Sequence, residues 1–330
     1  MIFINNYKIY LKKGSCSRCH SNNSIVIHRK YSGERLCQNC FEKSIEKNVY
    51  NSISKFKMLK PQNKIIVGLS GGKDSISLLY FLIRIQERTY NSKPLIALTI
   101  DEGIKDYRDK SIEVAKNFCR NHNIEHKIIS FKEIVGKTLD DIVNLKKNSE
   151  GYKYACNYCA TLRRRILNEG AKDLGGDVLA MGHNLTDLSE TFLMNILSKR
   201  FKLISNQYFF KKESEEIKKF FIKKIIPLLK IPEEEIFLFA NIRKLNYYPS
   251  HCPYRDKDPI LRKRVLGFVQ ECKKYSPEIE FNLFNGFLEL SNILYHHYEK
   301  INHNYCQNCG YPCGNTKICT YCRLIKSFIS

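Results

Sequence analysis

The stretch Ile65-Ile66-Val67-Gly68-Leu69-Ser70-Gly71-Gly72-Lys73-Asp74-Ser75 decides the fold. Ile65 to Leu69 is a short apolar run rich in β-branched residues, the pattern of a buried strand. After Ser75, the apolar residues Ile76, Leu79, Tyr80, Leu82 and Ile83 fall on one side of a helix. Strand, glycine turn and helix start together form a phosphate cradle. Two adjacent glycines let backbone N–H groups close on an anion, and the free amides of the following helix point at it. Lys73 adds a full positive charge at the same place.

The spacing differs from the Gly-x4-Gly-Lys-Ser/Thr of a Walker loop. Ser70-Gly71-Gly72-Lys73-Asp74-Ser75 instead resembles the PP-loop of the ATP pyrophosphatases, which cleave ATP between the α and β phosphates and adenylate a carbonyl oxygen. Outward from this loop, strand and helix patterns alternate. Residues 75–88 read as helix, Leu95 to Ile100 as strand, 106–122 as helix and Glu125 to Phe131 as strand. Residues 160–173 read as helix, Asp177 to Met181 as strand and Leu185 to Leu197 as helix. This alternation predicts an α/β fold with a doubly wound parallel sheet, whose ligands sit outside the carboxyl ends of the strands. Ser70, Asp101, Gly182 and His183 fall at those ends and are nucleotide-site candidates. Residues 203–225 read as a polar, basic, irregular insertion, and 258–301 as a helical tail.

With 330 residues the chain has room for a catalytic core and smaller modules. No apolar run is long enough to span a bilayer, and Met1 to Lys13 lacks the apolar centre of a signal peptide. A cytoplasmic protein with no membrane role is expected. The formal net charge of +22 calls for a polyanionic partner, most simply nucleic acid. The basic stretches are Arg163-Arg164-Arg165, Lys199-Arg200-Phe201-Lys202, Lys211-Lys212, Lys218-Lys219, Lys223-Lys224 and Arg262-Lys263-Arg264. Phe201, Tyr208, Phe209, Phe210, Phe220 and Phe221 are interleaved with them, a mix suited to phosphate contacts and base stacking.

The chain holds fourteen cysteines, and their spacing favours metal over disulfides. Cys16-x2-Cys19 and Cys37-x2-Cys40 are separated by seventeen residues, inside the range of a four-cysteine zinc site. Cys306-x2-Cys309 and Cys319-x2-Cys322, with nine residues between, read as a second zinc module, and Cys313 is a spare thiol beside it. Both are expected to be structural. The segment before residue 50 is too small and polar to fold on a core alone, so metal would supply folding energy. A third group, Cys156-x2-Cys159 with Cys252 about ninety residues later, is incomplete for zinc unless His251 joins it. Three thiolates also suit a cubane iron–sulfur cluster with one iron left open, and spacing alone leaves zinc and iron–sulfur both standing.

Further stretches match one family: Cys156-Asn-Tyr-Cys-Ala-Thr-Leu-Arg163-Arg164, Gly182-His183-Asn184-Leu-Thr-Asp187, Pro227-Leu-Leu-Lys-Ile-Pro232 and Cys252-Pro253-Tyr254. With the PP-loop and the terminal cysteine pairs, they resemble the tRNA 2-thiouridine synthetases of the TtuA/NcsA type over essentially the whole chain. The resemblance implies an adenine nucleotide alpha hydrolase-like core over 51–257, a zinc finger over 1–50, a helical tail over 258–301 and a second zinc finger over 302–330. It implies that Ser70 to Ser75 hold ATP, with Lys73 neutralising the pyrophosphate and Asp74 assisting Mg2+ or orienting the reacting groups. Arg163 and Asp187 fall at catalytic positions. Cys156, Cys159 and Cys252 would carry an oxygen-sensitive 4Fe-4S cluster. The partners implied are tRNA, a sulfur donor (a ubiquitin-like protein thiocarboxylate or free sulfide) and a second copy in a homodimer. The target is a uridine, with the wobble position favoured over the T-loop. Two departures stand out: Ala160 where glycine is common, and Thr186 where the first of two acidic residues is common. Rival readings are another PP-loop synthetase, such as an ammonia-using one, and a non-catalytic zinc-finger RNA-binding protein.

Overall fold

The computed structural model describes residues 2–4, 7–9, 11–22, 24–147, 154–211, 214–255, 260–298, 304–314 and 316–329. Lys212 and the expected boundaries at 257/258 and 301/302 lie outside the described residues.

The chain begins with a hairpin of β1 (Ile2–Ile4) and β2 (Tyr7–Ile9). A small antiparallel sheet of β3 (Leu11–Gly14), β4 (Ser24–His28) and β5 (Arg35–Cys37) follows, and α1 (Gln38–Lys55) leaves it. The central region runs β6 (Ile65–Gly68), α2 (Lys73–Gln86), β7 (Ile96–Asp101), α3 (Arg108–Asn121), β8 (Glu125–Ser130), α4 (Phe131–Val135), α5 (Leu139–Lys146), α6 (Ala155–Asp173), β9 (Val178–Ala180) and α7 (Leu185–Leu197). It continues through α8 (Phe201–Asn206), α9 (Glu215–Phe220), β10 (Lys223–Ile225) and α10 (Glu233–Ile242). The helices α11 (Ile260–Lys273) and α12 (Ile279–Tyr298) come next, then β11 (Asn304–Tyr305), β12 (Pro312–Cys313) and α13 (Thr320–Ile329).

Among the described residues the main sheet has five strands in the order β10-β9-β6-β7-β8, all parallel. The chain runs outward from β6 to β8, then crosses to β9 on the other side. That reversal makes the gap between the carboxyl ends of β6 and β9 the topological switch point, where such sheets bind ligands. The inner strands β6, β7 and β9 are apolar on both faces because helices cover both, while the edge strands β8 and β10 carry charged residues. Ile66, Leu98 and Leu179 face a layer containing Leu162 and Ile166 of α6 and Leu139 and Ile142 of α5. Val67, Ala97 and Ala180 face a layer built from α2, α3 and α10.

Two expectations are corrected here. Residues 203–225 are not an irregular insertion: they include α9 and end in β10, which pairs with β9. Lys223 and Lys224 are exposed and only Ile225 is buried, as befits a short strand on the sheet edge. The interleaved aromatics mostly pack rather than wait for bases. Phe209 lies against Phe56, Phe284 and Phe287, Phe220 and Phe221 against Tyr311, and Tyr208 against Tyr295. Phe210 is exposed. The basic residues Arg164, Lys202, Lys219, Arg262, Lys263 and Arg264 are exposed.

The terminal modules are fastened to this core. Phe41, Ile45 and Val49 of α1 are fully buried in the main cluster, so the boundary drawn at residue 50 falls inside a helix that belongs to both parts. At the other end the Arg165 guanidinium of α6 stacks on Tyr311, 3.0 Å from the ring centroid. Asn168 donates to the Tyr311 hydroxyl at 3.3 Å and to the Phe220 carbonyl at 2.7 Å. No helix among the described residues is long and apolar enough to cross a membrane.

Candidate active site

The loop after β6 is built by its own backbone. Ser75 Oγ donates to the Gly72 carbonyl at 3.0 Å and accepts from Ser70 N at 3.1 Å. The two serine hydroxyls lie 3.0 Å apart. Gly71 has φ +85°, and a Cβ there would sit on the Ser111 carbonyl of α3, so glycine is required twice over. Gly72 caps α2 without a side-chain hydrogen bond, leaving the first helical amides directed at the cradle. Gly182 is needed for close approach: a Cβ would lie 3.1 Å from Asp74 C and Ser75 N.

Charges converge at the same point. Lys73 Nζ lies 3.0 Å from Asp74 Oδ2 and 2.6 Å from Glu233 Oε1. Asp74 Oδ1 accepts from Asn184 Nδ2 at 3.1 Å, across the gap between β6 and β9. Burial pushes the Asp74 carboxyl up to about 6; Lys73 opposes the shift, and Asp187 and Glu233 add to it. Asp187 forms a reciprocal capping box with Asn184 at the start of α7 and faces Arg262 at 3.3 Å. Arg262 also pairs with the buried Glu190 at 2.9 Å. Burial holds His183 below its ordinary value, so the imidazole is neutral near pH 7, although Asp187 pulls the other way.

Asp101, expected at the nucleotide, spends one oxygen on its own turn, where Oδ1 accepts from Gly103 N at 2.8 Å. Thr186 does not face the cradle. Its hydroxyl donates to the buried Glu280 at 2.7 Å and accepts from Glu233 N at 3.1 Å. An acid there would meet Glu280, so threonine suits this site and Glu233 is the carboxylate that reaches Lys73. Ala160 lies inside α6, where alanine favours helix over glycine by about 0.5–1 kcal/mol.

Cys156 and Cys159 occupy the first turns of α6, and Arg163 follows one turn later. Burial pushes the Cys159 thiol up to about 12; Arg163 opposes this, while Glu102, Cys252 and Cys156 add to it. Cys252 is pushed up by burial as well. Two links join this region to the nucleotide loop. Tyr248 N, four residues before Cys252, donates to the Gly71 carbonyl at 2.9 Å. Arg108 donates to the Ser70 carbonyl at 3.0 Å and pairs with the buried Glu102 at 2.6 Å, and Glu102 also faces Arg163 at 3.5 Å. Glu102, Arg108, Glu233 and Tyr248 were not singled out from sequence. Glu233 follows directly on the Pro227–Pro232 stretch, the one signal that could have pointed to it.

The two terminal cysteine sets differ from this central one. In each of Cys16/Cys19/Cys37/Cys40 and Cys306/Cys309/Cys319/Cys322, the four sulfurs lie within 4.8 Å of one another. Cys19 and Cys37 stand 3.7 Å apart, as do Cys309 and Cys319. Backbone amides donate to Cys16 Sγ at 3.3 Å and to Cys306 Sγ at 3.2 Å, and these two thiols are lowered to about 6. This donor set fits a closed tetrahedral ion such as zinc. Cys313 stands apart, its thiol donating to the Thr316 carbonyl at 3.0 Å. The central three do not gather into such a set among the described residues. Cys156, Cys159 and Cys252 are partly buried, and Arg163 acts on both Cys159 and Cys252; three thiolates with no fourth are the donor set of a cubane cluster with one open iron.

Residues 41–264 match the PP-loop domain family. The chain is 37% identical to a probable sulfurtransferase of Methanocaldococcus jannaschii, over 93% of this chain and 87% of that protein. It is 32% identical to the tRNA 2-thiolation protein NcsA of Haloferax volcanii, over 94% of this chain and 98% of that one. Among solved structures it resembles the U34-tRNA thiolase NcsA of Methanococcus maripaludis with its [4Fe-4S] cluster. That likeness has a TM-score of 0.79 and 32% identity, covering 95% of this chain and 96% of the other. The chain belongs to the PP-loop family, in the group of tRNA 2-thiolation proteins.

Proposed function

We propose that this protein is an ATP-dependent tRNA uridine 2-sulfurtransferase acting at the wobble uridine. One observation carries the reading: the phosphate cradle and the Cys252 segment touch, through the Tyr248 N to Gly71 carbonyl bond of 2.9 Å. A site that activates a base with ATP and then delivers sulfur needs both parts within reach of one atom.

The uridine C2 oxygen attacks the α phosphorus of ATP, and pyrophosphate leaves. Amides of the 70–75 loop and Lys73 stabilise the charge developing on that leaving group. Asp74 and Asp187 would hold the Mg2+ that accompanies ATP, which would neutralise polyphosphate charge. A sulfur nucleophile then adds at C2 and AMP departs with the former carbonyl oxygen. Arg163 stabilises charge at the adenylated base and Asp187 takes part in proton transfer. A 4Fe-4S cluster on Cys156, Cys159 and Cys252 would supply an open iron for the sulfur donor. That donor is sulfide, or a ubiquitin-like protein thiocarboxylate whose acyl–sulfur bond is then hydrolysed by water, releasing the protein's carboxylate and leaving the sulfur on C2. Zinc in each terminal set, a homodimer and a cytoplasmic location complete the proposal. Arg164 and Arg262 are exposed and act on His183 at this site, and the neighbouring exposed Lys263 and Arg264 add to the positive charge of α11, which suits tRNA phosphates.

The test is anaerobic reconstitution with iron and sulfide, then incubation with ATP, Mg2+, sulfide and unmodified tRNA. Mass spectrometry should find 2-thiouridine at the wobble position, with AMP release. Thiolation at the T-loop instead would move the target. tRNA binding with no thiouridine from sulfide or a thiocarboxylate donor would leave an RNA-binding protein in place of the enzyme.

A further inference from the structure

The N-terminal cysteine module reaches the nucleotide loop through one helical turn. Arg29 follows β4 and is buried. Its Nε and Nη2 donate to the two carboxylate oxygens of Glu235 at 2.8 and 2.9 Å. Arg29 Nη2 also donates to Ser44 Oγ of α1 at 2.6 Å, and Nη1 to Glu34 at 3.2 Å. The Tyr31 hydroxyl donates to Glu235 Oε1 at 2.8 Å, and its ring packs on Phe281 of α12 at 4.7 Å between centroids. Glu235 is therefore held by a bidentate guanidinium and a phenol, both from the segment between the two cysteine pairs. Such a pair in a dry setting is geometrically rigid.

Glu235 lies in the first turn of α10, two residues after Glu233. Residues two apart on a helix point to nearly opposite sides. One side of this turn is gripped by the N-terminal module, and the other presents Glu233 Oε1 to Lys73 Nζ at 2.6 Å. The Glu233 backbone is fixed as well, its amide donating to Thr186 Oγ1 at 3.1 Å. Lys73 is the cation of the phosphate cradle, on a flexible stem that gains most from being held in advance.

We propose that the N-terminal module is a positioning element of the ATP site: Arg29 and Tyr31 fix Glu235, and through the same turn Glu233 fixes Lys73 for the polyphosphate. The inference rests on the reading of Ser70 to Ser75 as an ATP loop. It gives the module a task inside the molecule, in addition to any surface it offers to a partner.

The experiment is a double-mutant cycle on the full-length, zinc-loaded chain, reading ATP affinity by equilibrium binding, with tRNA affinity and zinc content alongside. Arg29→Lys keeps the charge but loses the fork; Tyr31→Phe removes one hydrogen bond without orphaning a charge and serves if Arg29→Lys does not fold. Tyr31→Phe should weaken ATP binding about 3- to 5-fold, and Arg29→Lys or Glu233→Gln about 10-fold, the range expected for the net contribution of one intramolecular hydrogen bond. In the Glu233→Gln background, Tyr31→Phe and Arg29→Lys should add nothing. Zinc content and tRNA affinity should stay at the wild-type value. Unchanged or tighter ATP binding in Tyr31→Phe, effects that multiply across the cycle, or parallel losses in ATP and tRNA binding would each overturn the proposal. Wild-type protein that binds no ATP at all would instead overturn the reading of the loop itself.

Discussion

The nucleotide loop and the central cysteines are linked through the Tyr248–Gly71 bond and through Arg108, Glu102 and Arg163, yet the chain builds them to different degrees. The loop is complete in the backbone: a positive φ at Gly71, a serine pair closing the turn, and a carbonyl of α3 filling the place of a Cβ. The cysteine set comes from two distant segments, α6 and the stretch after α10, and its sulfurs do not close into one tight group among the described residues. The terminal four-cysteine sets lie between these extremes, with sulfurs gathered and amides already pointing at them. Geometry that follows from strand, glycine and helix is fixed by folding. A ligand set drawn from separate segments depends on the group that joins it.

The largest expected effect tests that dependence. Cys156→Ala should lower thiolation by at least about 100-fold, as loss of a group that acts only in the chemical step does. ATP affinity should change by less than about 2-fold, because the loop does not lean on that cysteine. A second change breaks the loop side: Gly71→Ala forces a Cβ against Ser111 and strains a positive φ. Its cost should be about 1–3 kcal/mol in stability, seen in chemical denaturation, with ATP binding weakened at least about 10-fold. Third, Cys309→Ser should remove one bound zinc per chain by metal analysis and lower the melting temperature, since binding free energy at such a site is folding free energy. Thiolation should fall too, because Tyr311 of this module stacks on Arg165 in the helix that carries Cys156 and Cys159.

Fourth, Thr186→Asp should destabilise by about 1–3 kcal/mol by placing an acid beside buried Glu280, and should not raise activity. Higher activity in that variant would mean that position 186 faces the cradle after all.

The smallest effect is a pH dependence beneath the loop. Thr99 Oγ1 donates to the Leu69 carbonyl at 2.6 Å, so its proton is committed and His126 Nε2, at 2.8 Å, must donate to it. Burial, with Lys116 and Arg108 adding to it, lowers His126 to about 4. A group depressed on folding binds fewer protons in the native state. Its contribution is therefore full above the ordinary histidine value near 6.5 and is lost as pH falls from there to about 4. Wild-type stability, followed by denaturant midpoint, should drop through that window, and His126→Asn should flatten the drop.

How much of this was legible depends on the range of the signal. The 65–75 stretch could be read because apolar run, glycine pair and helical period are all local. The cysteine pairs could be read because ligand spacing is local as well. β10 was missed because Lys223, Lys224 and Ile225 are too short for a period to show, and edge lysines look like a loop. The aromatics were misjudged because Phe209 and Phe220 find partners far along the chain, in α12 and near the last cysteines. The task of Thr186 was hidden for the same reason, since its partner Glu280 is ninety-four residues away. Arg29 with Glu235 spans two hundred and six residues, and no pattern in either segment announces the pair.

The most direct test of the account separates the two halves of the site in one protein. Cys252→Ala, prepared anaerobically beside the wild type, is measured for ATP affinity without tRNA and for 2-thiouridine formation with it. The account predicts wild-type ATP affinity and no detectable thiouridine. ATP affinity lost together with thiolation would show that the loop is not self-built, and thiolation retained would show that the central cysteines do not serve the reaction.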